Sequence, residues 1–211
     1  MFVALSKSAL ILGLLCSAAA SAAAPVMIFD GSTLVRDASG GFAANSGALG
    51  RYSFAAPTTI SSFSTLLALS NASMLTFRIY DSTTGVALYT SVAKAFAADA
   101  TPTVAGATFK QSDGLSFTFN VGTIYAVGAS SSSAPLAIGS FSTKTENGIS
   151  ALLGNQNVNN GVFNTGSNCC AVAAQFFGTV PEPMTWSMMI IGFGIVGTAA
   201  RRQYRATVSY S

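Results

Sequence analysis

The sequence predicts an all-β fold for the middle of the chain, a two-sheet sandwich of jelly-roll type. An N-terminal signal peptide precedes it, and a single C-terminal transmembrane helix follows. Three observations carry that fold class. Short stretches of alternating apolar and hydroxylated residues, about eight to ten of them, recur between Gly, Asn and Ser turns. Charged residues make up only 8% of the chain, and no long apolar repeat of helical period appears. Setting both ends aside leaves about 155 residues, enough for one domain with a true core.

Taken in order, residues 26–29 and 34–36 read as two strands joined at Asp30-Gly31-Ser32. Residues 37–50, with four glycines among Ala, Ser and Asn, read as a loop. Alternation returns at 51–55 and stops at Pro57; residues 59–69 form a long or bent strand. Residues 74–80 put Leu75, Phe77 and Ile79 on one face and Thr76, Arg78 and Tyr80 on the other. Asp81-Ser82-Thr83-Thr84-Gly85 is turn chemistry, so residues 86–92 return as a hairpin partner. A Pro-containing connection at 99–104 leads to a second alternating run, 115–121, which Gly122 turns toward 123–128 as a second hairpin. A Ser-rich loop, 129–135, precedes a strand at 136–141. Residues 147–167 read mostly as loop with a short strand at Val162-Phe163, and 171–180 form the last strand.

The two ends follow other rules. Lys7 is the only charge before Asp30, residues 9–15 are a short apolar core, and Ala20-Ser21-Ala22 supplies the small-x-small pattern of a signal-peptide cleavage site. Cleavage before Ala23 makes the Sec translocon and signal peptidase the first partners. Gly13-Leu14-Leu15-Cys16 carries a bulky Leu where lipid attachment needs a small residue. At the other end, Met184 to Ala200 carry no charge, a helix of about 25 Å at ~1.5 Å per residue, which is the short end of what spans a bilayer. Arg201, Arg202 and Arg205 follow it and place the C-terminus in the cytoplasm. The division is therefore 1–22 leader, 23–179 exported domain and 180–211 tail, with the helix at 184–200. Between the ends, six basic residues (Arg36, Arg51, Arg78, Lys94, Lys110, Lys144) balance six acidic ones (Asp30, Asp37, Asp81, Asp99, Asp113, Glu146). The overall pI of about 8.9 thus comes from the ends, and no basic stripe exists for nucleic acid.

The tail has a fixed order: Pro181, Glu182, Pro183, Trp186, then Gly192, Phe193, Gly194 and Gly197 inside the apolar run, then Arg201 and Arg202. That triplet resembles the PEP-CTERM sorting signal of Gram-negative bacteria, over about a sixth of the chain. The resemblance implies export, transient anchoring in the inner membrane, recognition of the Pro-Glu-Pro motif by an exosortase-like transpeptidase, and release. The family's arginines usually end the protein, whereas Gln203 to Ser211 follow them here. Residues 75–121 also resemble sandwich modules found beside such anchors.

Few residues invite chemistry. Gly192-Phe193-Gly194-Ile195-Val196-Gly197 spells G-x-G-x-x-G, but a dinucleotide site needs a βαβ unit and an acidic residue about 20 positions on, so membrane-helix packing explains it better. Cys169 and Cys170 leave three readings open: a strained vicinal disulfide, thiols that are free or bonded between molecules, or a redox or metal site. The chain has no His, which excludes Cys/His zinc sites and His-dependent hydrolysis. A carboxylate pair could serve a glycosidase, and loop carboxylates a structural Ca²⁺, but turns account for most of the aspartates and no EF-hand pattern occurs. Tyr52, Tyr80, Tyr89 and Tyr125 are candidates either for a sugar-stacking platform or, preferably, for core rims. The resulting expectation is a non-enzymatic exported protein with no catalytic residue, cofactor or metal. It is destined for the cell surface or an extracellular polysaccharide matrix in a structural or weak ligand-binding role; the alternative is a carbohydrate-binding module or accessory domain.

Overall fold

A computed structural model describes residues 25–33, 38–166 and 170–179. The expected leader, the transmembrane helix, the sorting residues from Pro181 to Arg202 and Cys169 lie outside the described residues, as does the expected strand at 34–36.

Strand β1 (Pro25–Asp30) ends in a 3₁₀ turn, Gly31–Thr33, where Ser32 donates from its backbone N and its Oγ to the two Asp30 carboxylate oxygens at 2.9 and 2.7 Å. Strand β2 (Ala38–Gly41) and the first half of β3 (Ser46–Phe54) occupy the stretch expected to be a loop, while the second half of β3 is the strand expected at 51–55. Gly47 and Gly50 there are not turn residues but close-approach positions: a Cβ on Gly47 would sit 1.9 Å from the Ala129 carbonyl oxygen, and one on Gly50 2.7 Å from the Tyr52 ring. The bent strand resolves into β4 (Thr58–Ile60) and β5 (Ser62–Leu69), broken at Ser61.

The first hairpin forms as expected. β6 (Ser73–Asp81) pairs with β7 (Ala87–Thr90), Asp81 Oδ1 accepts from the backbone N of Thr83 and Thr84, and Gly85 turns the chain at φ 71°. β8 (Lys94–Phe96) pairs with the other end of β6, and β9 (Thr108–Gln111) with β5. The second hairpin does not form. β10 (Phe117–Phe119) pairs with β4 in a small ladder, whereas β11 (Tyr125–Ser131) inserts between β3 and β6, so Gly122 (φ 83°) makes a crossing rather than a hairpin turn. β12 (Pro135–Ser140) and β13 (Lys144–Glu146) follow. The Asn-rich stretch expected to be loop is β14 (Ile149–Asn159), bulged between Leu152 and Asn155, which turns into β15 (Val162–Asn164). β16 (Ala171–Val172) and β17 (Ala174–Thr179) close the chain.

Two large antiparallel sheets result, of seven and eight strands, with no α-helix among the described residues. Four of the backbone pairings are nested: β1 pairs with β17, β3 with β11, β5 with β9 and β6 with β8. That is one long hairpin of eight strands folded over on itself. It yields the order β1-β17-β5-β9 in one sheet and β3-β11-β6-β8 in the other. β12, with β2 and β16, extends the first sheet, and β13 to β15 extend the second.

The core lies between the sheets, and a connected cluster of aromatic rings runs through its aliphatic side chains. Phe176 on β17 sits at its middle, with ring centroids 5.8 Å from Phe29, 4.9 Å from Tyr52, 5.9 Å from Phe54 and 5.7 Å from Phe119. A second, smaller cluster (Leu49, Tyr80, Ala126, Val158) lies on the outer face of the second sheet, where Phe163 of β15 packs 5.0 Å from the Tyr80 ring. The β14–β15 hairpin therefore covers part of that face.

Candidate functional site

The structure first decides where the candidate side chains are not. Tyr52, Tyr80 and Tyr125 are all buried and Tyr89 is half-buried, so these rings pack inside the protein rather than offering a flat stacking platform. Tyr52 spends its hydroxyl on the Val172 carbonyl at 2.5 Å, and complete burial pushes its pKa up. Cys170 is buried and disulfide-bonded, with its partner outside the described residues.

The carboxylates are engaged one by one. Asp99 meets Lys110 at 2.6 Å, Asp113 meets Lys94 at 2.8 Å, and Glu146 meets Lys144 at 2.8 Å. Asp81 holds its own turn. Among the described residues, the one place where two acids come together is at β1 and β13: the Asp30 backbone N donates to Glu146 Oε2 at 3.0 Å, Gln175 donates to Asp30 Oδ1 at 2.8 Å, and Lys144 bonds the Asp30 carbonyl. Burial pushes the Asp30 carboxyl up, but the bonds from Gln175 and Ser32 and the Lys144 charge outweigh it and hold it low. Lys144 and the Asp30 backbone N likewise hold Glu146 low. A glycosidase needs one carboxyl raised enough to keep its proton, and neither member of this pair has that character. No group of three or more His, Cys, Asp or Glu side chains able to hold a metal occurs among the described residues.

What the fold does assemble is a polar groove of about 430 Å³ on the outer face of the second sheet. Alternation along β6 puts Thr76, Arg78 and Tyr80 on that face, opposite Ser130, Gly128 and Ala126 of β11. Gly128, opposite Arg78, carries no side chain of its own, and the Leu49 side chain of β3 packs beside that position. The guanidinium donates through Nε to Ser130 Oγ at 3.2 Å and through one terminal nitrogen to the Tyr80 hydroxyl at 3.3 Å. The rim is built by two turn residues, Asn45 and Asn160, both left-handed at φ 60° and 48° and tied together by Asn160 N donating to the Asn45 carbonyl at 3.0 Å. A smaller groove of about 310 Å³, lined by Phe42, Ser46 and the asparagines of β14 and β15, lies on the other side of that rim.

None of these groove residues stands out in the sequence as a site. The available signal was Arg78 at the centre of the polar face of the best-alternating strand; the asparagine rim depends on pairing between turns 115 positions apart.

The comparisons bear on the tail. Residues 179–203 match the PEP-CTERM protein-sorting motif, so the chain carries the mark of an exosortase substrate. No curated protein and no solved structure matches the chain. Among the described residues no helix is long and apolar enough to cross a membrane.

Proposed function

We propose that this protein is exported, held briefly in the inner membrane by the helix at 184–200, cut by an exosortase at Pro181-Glu182-Pro183, and released to the cell surface or an extracellular polysaccharide matrix. There its sandwich, which we read as a jelly roll from the folded-over hairpin order, serves a non-enzymatic structural or weak ligand-binding role. The observation that carries this reading is a junction: the matched sorting motif begins at residue 179, and the last strand of the domain ends at Thr179. Every described strand lies at or before Thr179, so the proposed cut falls beyond all of the strand pairings described above.

Intact mass spectrometry of protein recovered from the producing cell tests the reading. The expected species lacks residues 1–22 and everything beyond the Pro-Glu-Pro motif, and Glu182→Ala keeps the tail attached. Wild-type protein that retains its tail would sink exosortase handling. With the leader gone, Cys169 is the only other cysteine in the chain, so we read Cys170 as one half of a vicinal bridge with Cys169. The same spectra should show no alkylation of the monomer until a reductant is added; alkylation without reductant would refute it. The second reading, a carbohydrate-binding module, is favoured by the hydroxyl- and amide-lined groove around Arg78.

A further inference from the structure

We infer that the groove around Arg78 binds an acidic glycan segment, with a sugar carboxylate on the Arg78 guanidinium and sugar hydroxyls on the surrounding Ser, Thr and Asn side chains. The inference rests on the extracellular ligand-binding reading above and names the ligand class.

All three described lysines have a carboxylate within ion-pair distance, at 2.6 to 2.8 Å. Arg78 has none among the described residues; its contacts are two neutral hydroxyls, which use two of its five donors. A guanidinium left with spare donors in a groove is matched in shape and charge by a carboxylate, which it can take bidentately. A phenol and a serine hydroxyl already fix its plane, so little side-chain freedom is lost on binding.

Among the described residues the side chains of Asn45, Thr76 and Asn160 make no hydrogen bond, and Ser132 only accepts from the Met74 backbone N at 2.9 Å. These groups are solvated now, and a ligand must replace that water with hydroxyls or amides of its own. The apolar side chains of the lining are Met74 and Ala93, too few to anchor a peptide side chain or a lipid chain, and the ring of Tyr80, whose hydroxyl takes an Arg78 hydrogen bond, is covered by Phe163. At about 430 Å³ it falls within the usual size of a ligand cleft. An open, hydroxyl-lined groove with one unneutralised cation suits a chain that is hydroxyl-rich and carries a periodic carboxylate.

The test uses the full chain in detergent and a hexamer of galacturonic acid as probe, with a glucose hexamer and inorganic phosphate as controls, by calorimetry at low salt. The uronate should bind saturably and more tightly than either control. Arg78→Gln should weaken it roughly ten- to hundredfold, the loss of one charge-assisted contact, and Arg78→Lys less. Because Arg78 also braces Ser130 and Tyr80, Thr76→Glu is the companion variant: it places a carboxylate beside an intact guanidinium and should abolish binding with the melting temperature retained. No uronate binding by wild type overturns the groove, as does phosphate binding as tightly, or Arg78→Gln and Thr76→Glu both binding like wild type. The mass test of tail removal is read independently, so failure here leaves export and processing standing, and failure there leaves the groove standing.

Discussion

Lys110 and Asp99 show how a single pair can fasten a long connection. Their side chains are 9% and 6% exposed and meet at 2.6 Å. Asp99 Oδ2 also accepts the Leu69 backbone N at 2.8 Å, and Oδ1 accepts the Thr108 hydroxyl, so the carboxylate pins the loop before β9 to the end of β5. Burial pushes the Asp99 carboxyl up, but the Lys110 bond, the Leu69 and Thr108 bonds and the Lys110 charge together hold it below the ordinary aspartate range. Asp30, Asp81 and Glu146 are held low as well. The sign follows: near pH 4 the unfolded chain binds protons that the folded chain refuses, so this stability is complete above the ordinary carboxylate pKa of ~4 and is lost as pH falls through the lower folded values. The chain has no His, so nothing of that kind titrates between pH 5 and 8. The melting temperature should be flat from about pH 5 to 8 and fall below about pH 4. Asp99→Asn, which strands the buried ammonium, should cost about 3–5 kcal/mol at pH 7 in urea unfolding and flatten the acid limb; a variant as stable as wild type would show that the pair does not hold the loop.

At the scale of elements, residues that usually mark turns here sit within strands. Gly47 and Gly128 lie where β3 and β11 come so close that a Cβ at either position would meet a partner carbonyl oxygen, at 1.9 and 2.3 Å. Gly47→Ala should therefore destabilise the domain by about 2 kcal/mol or more, roughly 5 °C in melting temperature, because backbone must move to admit the methyl. Gly41→Ala, with nothing within 4 Å of the added carbon, is the control and should change little. The same feature explains what could be read in advance. The β6–β7 hairpin was legible because strand alternation, an Asx turn and a left-handed glycine all agree in one local stretch. The first half of β3 and the whole of β14 were not, because their Gly and Asn content answers to strands distant in sequence. Residues 115–128 alternate properly, yet Phe117 and Tyr125 belong to different sheets, a distinction that local period cannot carry. For the candidate site, the tail was legible as a linear motif, whereas the groove exists only once β6, β11 and two remote turns are brought together.

Across the whole molecule the organising fact is that the first strand pairs with the last. β17 lies between β1 and β5 and places Phe176 at the centre of the aromatic core, so the first sheet is split until the C-terminal end of the domain arrives. Most contacts of this kind join residues far apart in sequence, which makes for slow folding relative to helical domains of the same size. The strand that completes the fold is also the one directly joined to the matched sorting motif.

The register Pro25↔Thr179 has a mechanical meaning. Both chain ends leave from the same end of one antiparallel pair, so a pull applied between them loads the β1–β17 hydrogen bonds one after another, as a zipper is opened, rather than all together in shear. Force spectroscopy with handles at residues 25 and 179 should peel this pair at low force, whereas handles at residues 54 and 179 should meet the packed sheets and hold longer. Equal rupture forces in the two geometries would count against this. A molecule tethered only through its C-terminal end is spared that weak geometry. Drag on a ligand in the Arg78 groove would pass through β6 and β11 and across the core to β17, so the seam between the two termini is not the joint under load.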